Sequence, residues 1–221
     1  DMAAVARRKN VLIITKASTR SLVHRPVYMD YIGVRRFGRA GQVAGERRFV
    51  GLFTSSAYHR DVRDIPLLRH KVRQVLERSG FNPSGHSGKA ILNILETYPR
   101  DELFRIGVDE LFDTVMGILH LEERQRVRLF VRRDSYAGFY SCLVYVPRER
   151  YNTSLRHRIE AVLRQAFRAD NVDFGTMVGD SPMARIHFIL RGGRDDVGEA
   201  DIAAIEARVA AATRLWSDEL Q

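Results

Sequence analysis

The sequence of 221 residues predicts an α+β protein in three successive parts. Three observations carry that expectation. A strand-like apolar pattern interrupted by Gly38-Arg39-Ala40-Gly41 opens the chain, apolar residues at helical spacing fill its middle, and the last third reads β-β-α-β-β-α. The boundaries fall at 1–60 for an antiparallel three-stranded sheet segment, 61–125 for a helical connector, and 126–221 for a domain in its own right.

Residues 1–8 read as a frayed leader. Val11–Thr15 is the first strand, followed by a polar connection through Ser18-Thr19-Arg20-Ser21. Tyr28, Ile32, Val34 and Phe37 then lie on one side of the glycine turn, and Phe49, Val50, Leu52 and Phe53 on the other. Glycine adopts positive φ at little cost, so Val27–Tyr58 predicts a hairpin. From Asp64 the period becomes helical. Ile65, Leu68, Val72, Val75 and Leu76 recur until Ser79-Gly80 stops the helix. Asn82-Pro83-Ser84-Gly85 marks a turn. Lys89–Tyr98 forms a second helix that ends before Pro99. A third runs from about Val108 to Arg124, with Leu111, Phe112, Val115, Ile118 and Leu119 facing inward.

Arg126–Arg133 alternates. Val127, Leu129 and Val131 share one face; Arg126, Arg128, Phe130 and Arg132 share the other, which is expected to meet solvent or another subunit. Phe139–Val146 is the next strand and Thr153–Phe167 a helix. Val172–Val178 and Ala184–Leu190 are two more strands, and a last helix carries Ile202, Ile205, Val209, Ala212 and Leu215. This order suits a four-stranded antiparallel sheet with two helices on one face. Cyclically it is the ferredoxin-like order βαββαβ begun at a different strand. His187 is expected on the solvent face of its strand, and Cys142 is expected to be a buried, unreactive thiol.

Composition excludes several functions. No apolar run approaches the roughly 20 residues of a membrane span; Val11-Leu12-Ile13-Ile14 is strand-sized. A single cysteine cannot form an internal disulfide, which fits the cytoplasm. The net charge of +9 would suit a nucleic-acid binder. Yet the arginines are spread along the chain and interleaved with acids, as in Arg60-Asp61-Val62-Arg63-Asp64. Ser87-Gly88-Lys89-Ala90 lacks the first glycine and the Ser or Thr of a phosphate-binding loop. Glycines 38, 41 and 45 do not make a dinucleotide fingerprint, and the histidines have no metal-ligand spacing. No catalytic, metal or cofactor site is expected in this segment.

Several stretches resemble the bacterial large NAD-specific glutamate dehydrogenase family: HRPVYMDYIGV (24–34), GERRFVGLFTSSAY (45–58), IPLLRHKVRQVLERSGF (65–81), ILETYPRDELF (94–104) and LFVRRDSYAGFYSCLVYVPRERYNTSLRHRIE (129–160). The family's dehydrogenase core has no counterpart here, so no catalytic residue carries over. The resemblance implies a PAS-like sheet over residues 10–58 and an ACT-like module over 126–217. It implies a regulatory or assembly segment of an enzyme that oxidatively deaminates glutamate, with NAD bound elsewhere. The partners it implies are the remainder of the same long polypeptide, further copies in a homo-oligomer, and a small-molecule effector. ACT-like modules place ligands at loops and helix N-termini, where unpaired backbone N–H groups hold carboxylates. On that basis Gly179, Asp180 and Ser181, Gly192, Gly193 and Arg194, and Asn152 and Thr153 are the candidate effector or interface loops. A stand-alone RNA- or anion-binding module using Arg126, Arg128 and Arg132 is the rival reading.

Overall fold

The computed structural model describes residues 10–23, 26–193 and 197–218; the leader at 1–8, and Arg194 of one candidate loop, lie outside them. The protein is α+β, with a three-stranded antiparallel sheet, a helical layer and a four-stranded antiparallel sheet in chain order.

Leu12–Arg20 (β1), Tyr28–Phe37 (β2) and Val43–Gly51 (β3) pair in the order β1-β2-β3. Gly41, at φ 77°, closes the β2–β3 turn, and the Gly38 N–H donates to Gln42 O. The first strand runs five residues past Thr15, through the stretch expected to be a polar connection. Its polar residues find partners that local pattern does not reveal. Lys16 pairs with Asp30 at 2.7 Å and the Arg20 guanidinium lies 4.6 Å from the Tyr28 ring centre. The register shifts between those two contacts. At the other end β3 stops at Gly51, before Leu52 and Phe53. Phe53 instead stacks on Phe104, centroids 4.5 Å apart, and its N–H donates to Asp30.

The helical layer comprises Ser55–His59 (α1), Pro66–Ser79 (α2), His86–Thr97 (α3), Arg100–Arg105 (α4) and Val108–Glu123 (α5). Proline begins α2 and Gly80, at φ 68°, ends it, as helix-terminus chemistry requires. The short α4 has no periodicity to read from sequence. It is held from outside: buried Lys71 of α2 donates to the carbonyls of Leu103, Phe104 and Ile106 at 2.8, 3.0 and 2.7 Å. A side-chain ammonium thus satisfies the orphan C-terminal carbonyls of a neighbouring helix.

Arg128–Arg133 (β4), Tyr140–Pro147 (β5), Asn171–Met177 (β6) and Met183–Arg191 (β7) form the second sheet in the order β4-β5-β7-β6. Thr153–Phe167 (α6) and Glu199–Asp218 (α7) pack together over one face. Their core is Leu155, Ile159, Leu163, Phe167, Ile205 and Val209 against Cys142, Val144, Ile186 and Phe188. Parallel β5 and β6 flank β7, the split βαβ arrangement of ferredoxin-like sheets.

The opposite face is not open to solvent. Leu143, Tyr145 and Met183 join the core of α2–α5, so every residue of β5 is buried. Phe130, expected beside solvent, packs its ring against α5 where Gly117 leaves room. A Cβ on Gly117 would lie 2.7 Å from Phe130 Cε1. A mid-helix glycine ordinarily weakens a helix, and here it admits the ring. Gly117→Val is expected to cost about 1–3 kcal/mol by overpacking. Denaturant melts of Gly117→Val in wild-type and Phe130→Ala backgrounds check this, because the penalty should shrink once the ring is gone.

Candidate functional site between the two sheets

The sequence-predicted loops separate to opposite ends of β7. At one end, Asn152 caps α6: its side chain accepts from Leu155 N at 2.8 Å, so the helix N-terminus next to Thr153 is already occupied. Arg148 ties this region to the second loop, donating to Gly179 O at 2.9 Å, while Ser181 Oγ accepts from Met183 N. Gly179, Asp180 and Ser181 line a cavity of about 320 Å³ with Asn93, Thr97 and Arg185. Arg185 donates to Thr97 O, and its buried Nε has no hydrogen-bond partner among the described residues.

At the other end, Gly192 and Gly193 have φ of 76° and 91°. A Cβ on Gly193 would sit 2.0 Å from Phe167 O and 2.5 Å from Arg168 O. These glycines let the chain leave β7 against the end of α6. Arg168, at φ 52°, closes that helix through N–H bonds to carbonyls of its last turn.

The chemistry between the sheets is a layer of buried charge. Glu102 of α4 is 1% exposed and is held by Arg132 of β4 and by Arg105, the latter at 3.4 Å. Arg132 also reaches Asp134 at 3.7 Å, and Asp134 accepts from Thr15 Oγ1 of β1 at 2.8 Å. Lys16 of β1 joins Asp30 to Asp101 of α4, at 2.7 and 3.0 Å. Burial alone would raise the Glu102 carboxyl, but Arg132 and then Arg105 hold it down at about 2.

The arginine row expected on a solvated strand face is therefore not assembled as a binding track. Arg132 is in the ion-pair layer, and Arg128 pairs with Glu206 of α7 at 3.0 Å. Phe130 meets Tyr145 edge to face instead of offering a stacking surface. This arrangement does not support the nucleic-acid reading. His187 is likewise not on a solvent face. Arg185, His187, Ile189 and Arg191 form the alternate row of β7 that faces the helical layer and first sheet. His187 Nε2 lies 2.8 Å from Ser141 Oγ, and burial pushes its pKa down to about 4. Cys142 is buried, as expected, with its thiol pKa raised by that burial.

A cavity of about 550 Å³ opens beside this layer, walled by β1 and β2, α4, and β6 and β7. Lys16, Arg20, Arg100, Arg105 and Arg191 line it, with Asp101 and Asp173 as its acids. Pattern reading missed this site because its cations come from every part of the chain. One signal was available: the stretch Tyr140–Pro147, apolar apart from Ser141, marks a strand buried on both faces, hence a sheet covered on both sides. Among the described residues no group of three or more His, Cys, Asp or Glu is placed to hold a metal ion. Nor is any helix among them long and apolar enough to cross a membrane.

Comparisons with known proteins agree with the architecture. Residues 128–217 match the family model "Glutamate dehydrogenase, ACT2 domain" and residues 65–124 match "Glutamate dehydrogenase, helical motif 1". The chain is 44% identical over 210 residues to the NAD-specific glutamate dehydrogenase of Halomonas elongata, covering 95% of this chain and 13% of that protein. With the enzyme of the same name from Pseudomonas aeruginosa the identity is 43% over 220 residues, covering 99% and 14%. With that of Mycobacterium tuberculosis it is 33% over 222 residues, covering 95% and 14%. The chain thus spans about one seventh of the length of these relatives, and within that span it belongs to the NAD-specific glutamate dehydrogenase family.

Proposed function

We propose that this chain is a non-catalytic regulatory and assembly segment of a cytoplasmic NAD-dependent glutamate dehydrogenase. The whole enzyme would convert L-glutamate, NAD and water to 2-oxoglutarate, ammonia and NADH, with NAD bound outside this segment. The observation that carries the reading is the buried charge layer. Thr15 and Lys16 of the first sheet, Asp101 and Glu102 of the helical layer, and Arg132 and Asp134 of the second sheet form contacts across all three parts. Buried ion pairs tolerate small displacements poorly, because each broken pair leaves an uncompensated charge. A displacement in one part is therefore opposed or followed by the others, which is how a packed core turns a local event into a discrete shift.

An assembly role has its own support. Strand β3 is an edge strand that exposes Val43, Phe49 and Val50. Exposed apolar edge strands invite pairing, and the remainder of the same long polypeptide, or another subunit of a homo-oligomer, is the proposed cover. The expected result for the purified 221-residue chain is no NADH formed from glutamate and NAD, whereas the whole polypeptide forms it. Robust glutamate-dependent NAD reduction by the segment alone would overturn the non-catalytic reading. In the whole enzyme, Thr15→Val should change the effector response or subunit assembly; if neither moved, the regulatory part would fail.

A further inference from the structure

We propose that the cavity between β1 and β2, α4, and β6 and β7 binds a small multivalent anion, carried on carboxylate or phosphate groups. Three guanidinium groups on its walls carry unused hydrogen-bonding capacity. Arg100 Nη1, Arg105 Nε and Arg191 Nε are buried with no hydrogen-bond partner among the described residues. The Arg100 and Arg105 side chains are 8% and 3% exposed, so bulk water does not stand in for a partner. Buried donors are ordinarily satisfied, and all three belong to side chains that line this one cavity, which points to a missing acceptor.

The charge balance points the same way. Lys16 is shared between Asp30 and Asp101, Arg20 holds Asp173 at 3.3 Å, Arg100 lies 3.6 Å from Glu96, and Arg105 lies 3.4 Å from Glu102. Arg191 has no acid at ion-pair distance among the described residues. Its guanidinium lies 3.7 Å from the Tyr28 ring centre and 4.9 Å from that of Phe139, with the charge of Asp173 acting from farther off. Burial lowers the Arg191 pKa, the mark of a cation whose lost hydration is incompletely replaced. A ligand acidic group would replace that hydration.

The cationic walls belong to separate elements, and about 550 Å³ is room for a molecule rather than a single ion. A ligand with two or more acidic groups can engage several walls at once. A guanidinium presents several N–H donors in a fixed plane, which suits the paired oxygens of carboxylate and phosphate alike. The acids on its walls, Asp101 and Asp173, are each paired with a cation, Lys16 and Arg20, and five basic side chains line the cavity against these two. This is a statement about binding and does not need the regulatory reading. If the cavity bound nothing, that reading could still hold through the buried charge layer.

The test uses the 221-residue chain and titration calorimetry at constant ionic strength, with succinate, tricarballylate and inorganic pyrophosphate as separate probes. Acetate and chloride serve as monovalent controls. At least one multivalent probe should bind saturably at one site per chain, the carboxylate and phosphate arms identifying which group is preferred. Arg191→Gln should weaken that binding about tenfold or more, as expected for loss of a charge-assisted contact. Arg100→Gln should weaken it as well, a second variant in case one fails to fold. Absence of binding by all three probes, equal heats from chloride, or binding indifferent to both variants would overturn the proposal.

Discussion

Glu102→Gln is expected to destabilise the protein by about 3–5 kcal/mol, as measured by denaturant unfolding. The carboxylate is 1% exposed and lies between Arg132 and Arg105. A neutral amide leaves two buried guanidinium groups short of their counter-charge, and that uncompensated charge is the main cost. Removing one guanidinium together with the carboxylate, Glu102→Leu with Arg132→Met, should recover part of the loss, because only Arg105 is then left without its acid. If the double variant were no better than Glu102→Gln, the cost would lie in packing and this account would be wrong. The same group shapes the acid limb of stability. Its pKa is about 2 when folded against an ordinary 4.5, so its contribution is present above about 4.5 and is lost as pH falls toward 2. His187, at about 4 when folded against 6.5, binds its proton more weakly in the folded state. Its contribution is present above 6.5 and falls away between 6.5 and 4. Stability of the wild type should therefore decline below about pH 6.5 and steepen below 4.5. In Glu102→Gln the second phase should be reduced.

Gly193→Val is expected to cost on the order of 3 kcal/mol or to prevent folding of the second sheet domain. Two penalties coincide. The backbone is at φ 91°, which side chains disfavour, and a Cβ would lie 2.0 Å from Phe167 O. That oxygen belongs to the end of α6 and cannot swing aside like a side chain. Gly138→Ala separates the two terms. Gly138 also has positive φ, 65°, but nothing stands within 4 Å of a Cβ there. It should cost only about 1 kcal/mol, as backbone strain alone. Equal losses at both positions, measured by thermal melts, would mean that the close approach to α6 contributes nothing. Gly193 entered as a candidate effector-loop residue. Its measured role would decide between ligand chemistry and the architectural demand made by Phe167.

Local pattern determines the elements of this chain because the forces that set them are local. Period-two alternation, helical apolar stripes, Gly80 and Pro99 place strands and helices within a few residues of where they lie. The β-β-α-β-β-α order leads to the four-stranded sheet with α6 and α7 on one face, and the quoted stretches lead to the glutamate dehydrogenase family. Alternation also assigns Arg128, Phe130, Arg132 and His187 to one side of their strands. It does not say what covers that side. Only tertiary structure lays α3 to α5 over it, turning an apparent arginine surface into the Glu102–Arg132 layer. The same packing brings Arg20, Arg100 and Arg191 around one cavity from positions far apart in sequence. Burial and the pairing of distant charges depend on which surfaces meet, and periodicity along a chain records only which side of its own element a residue occupies.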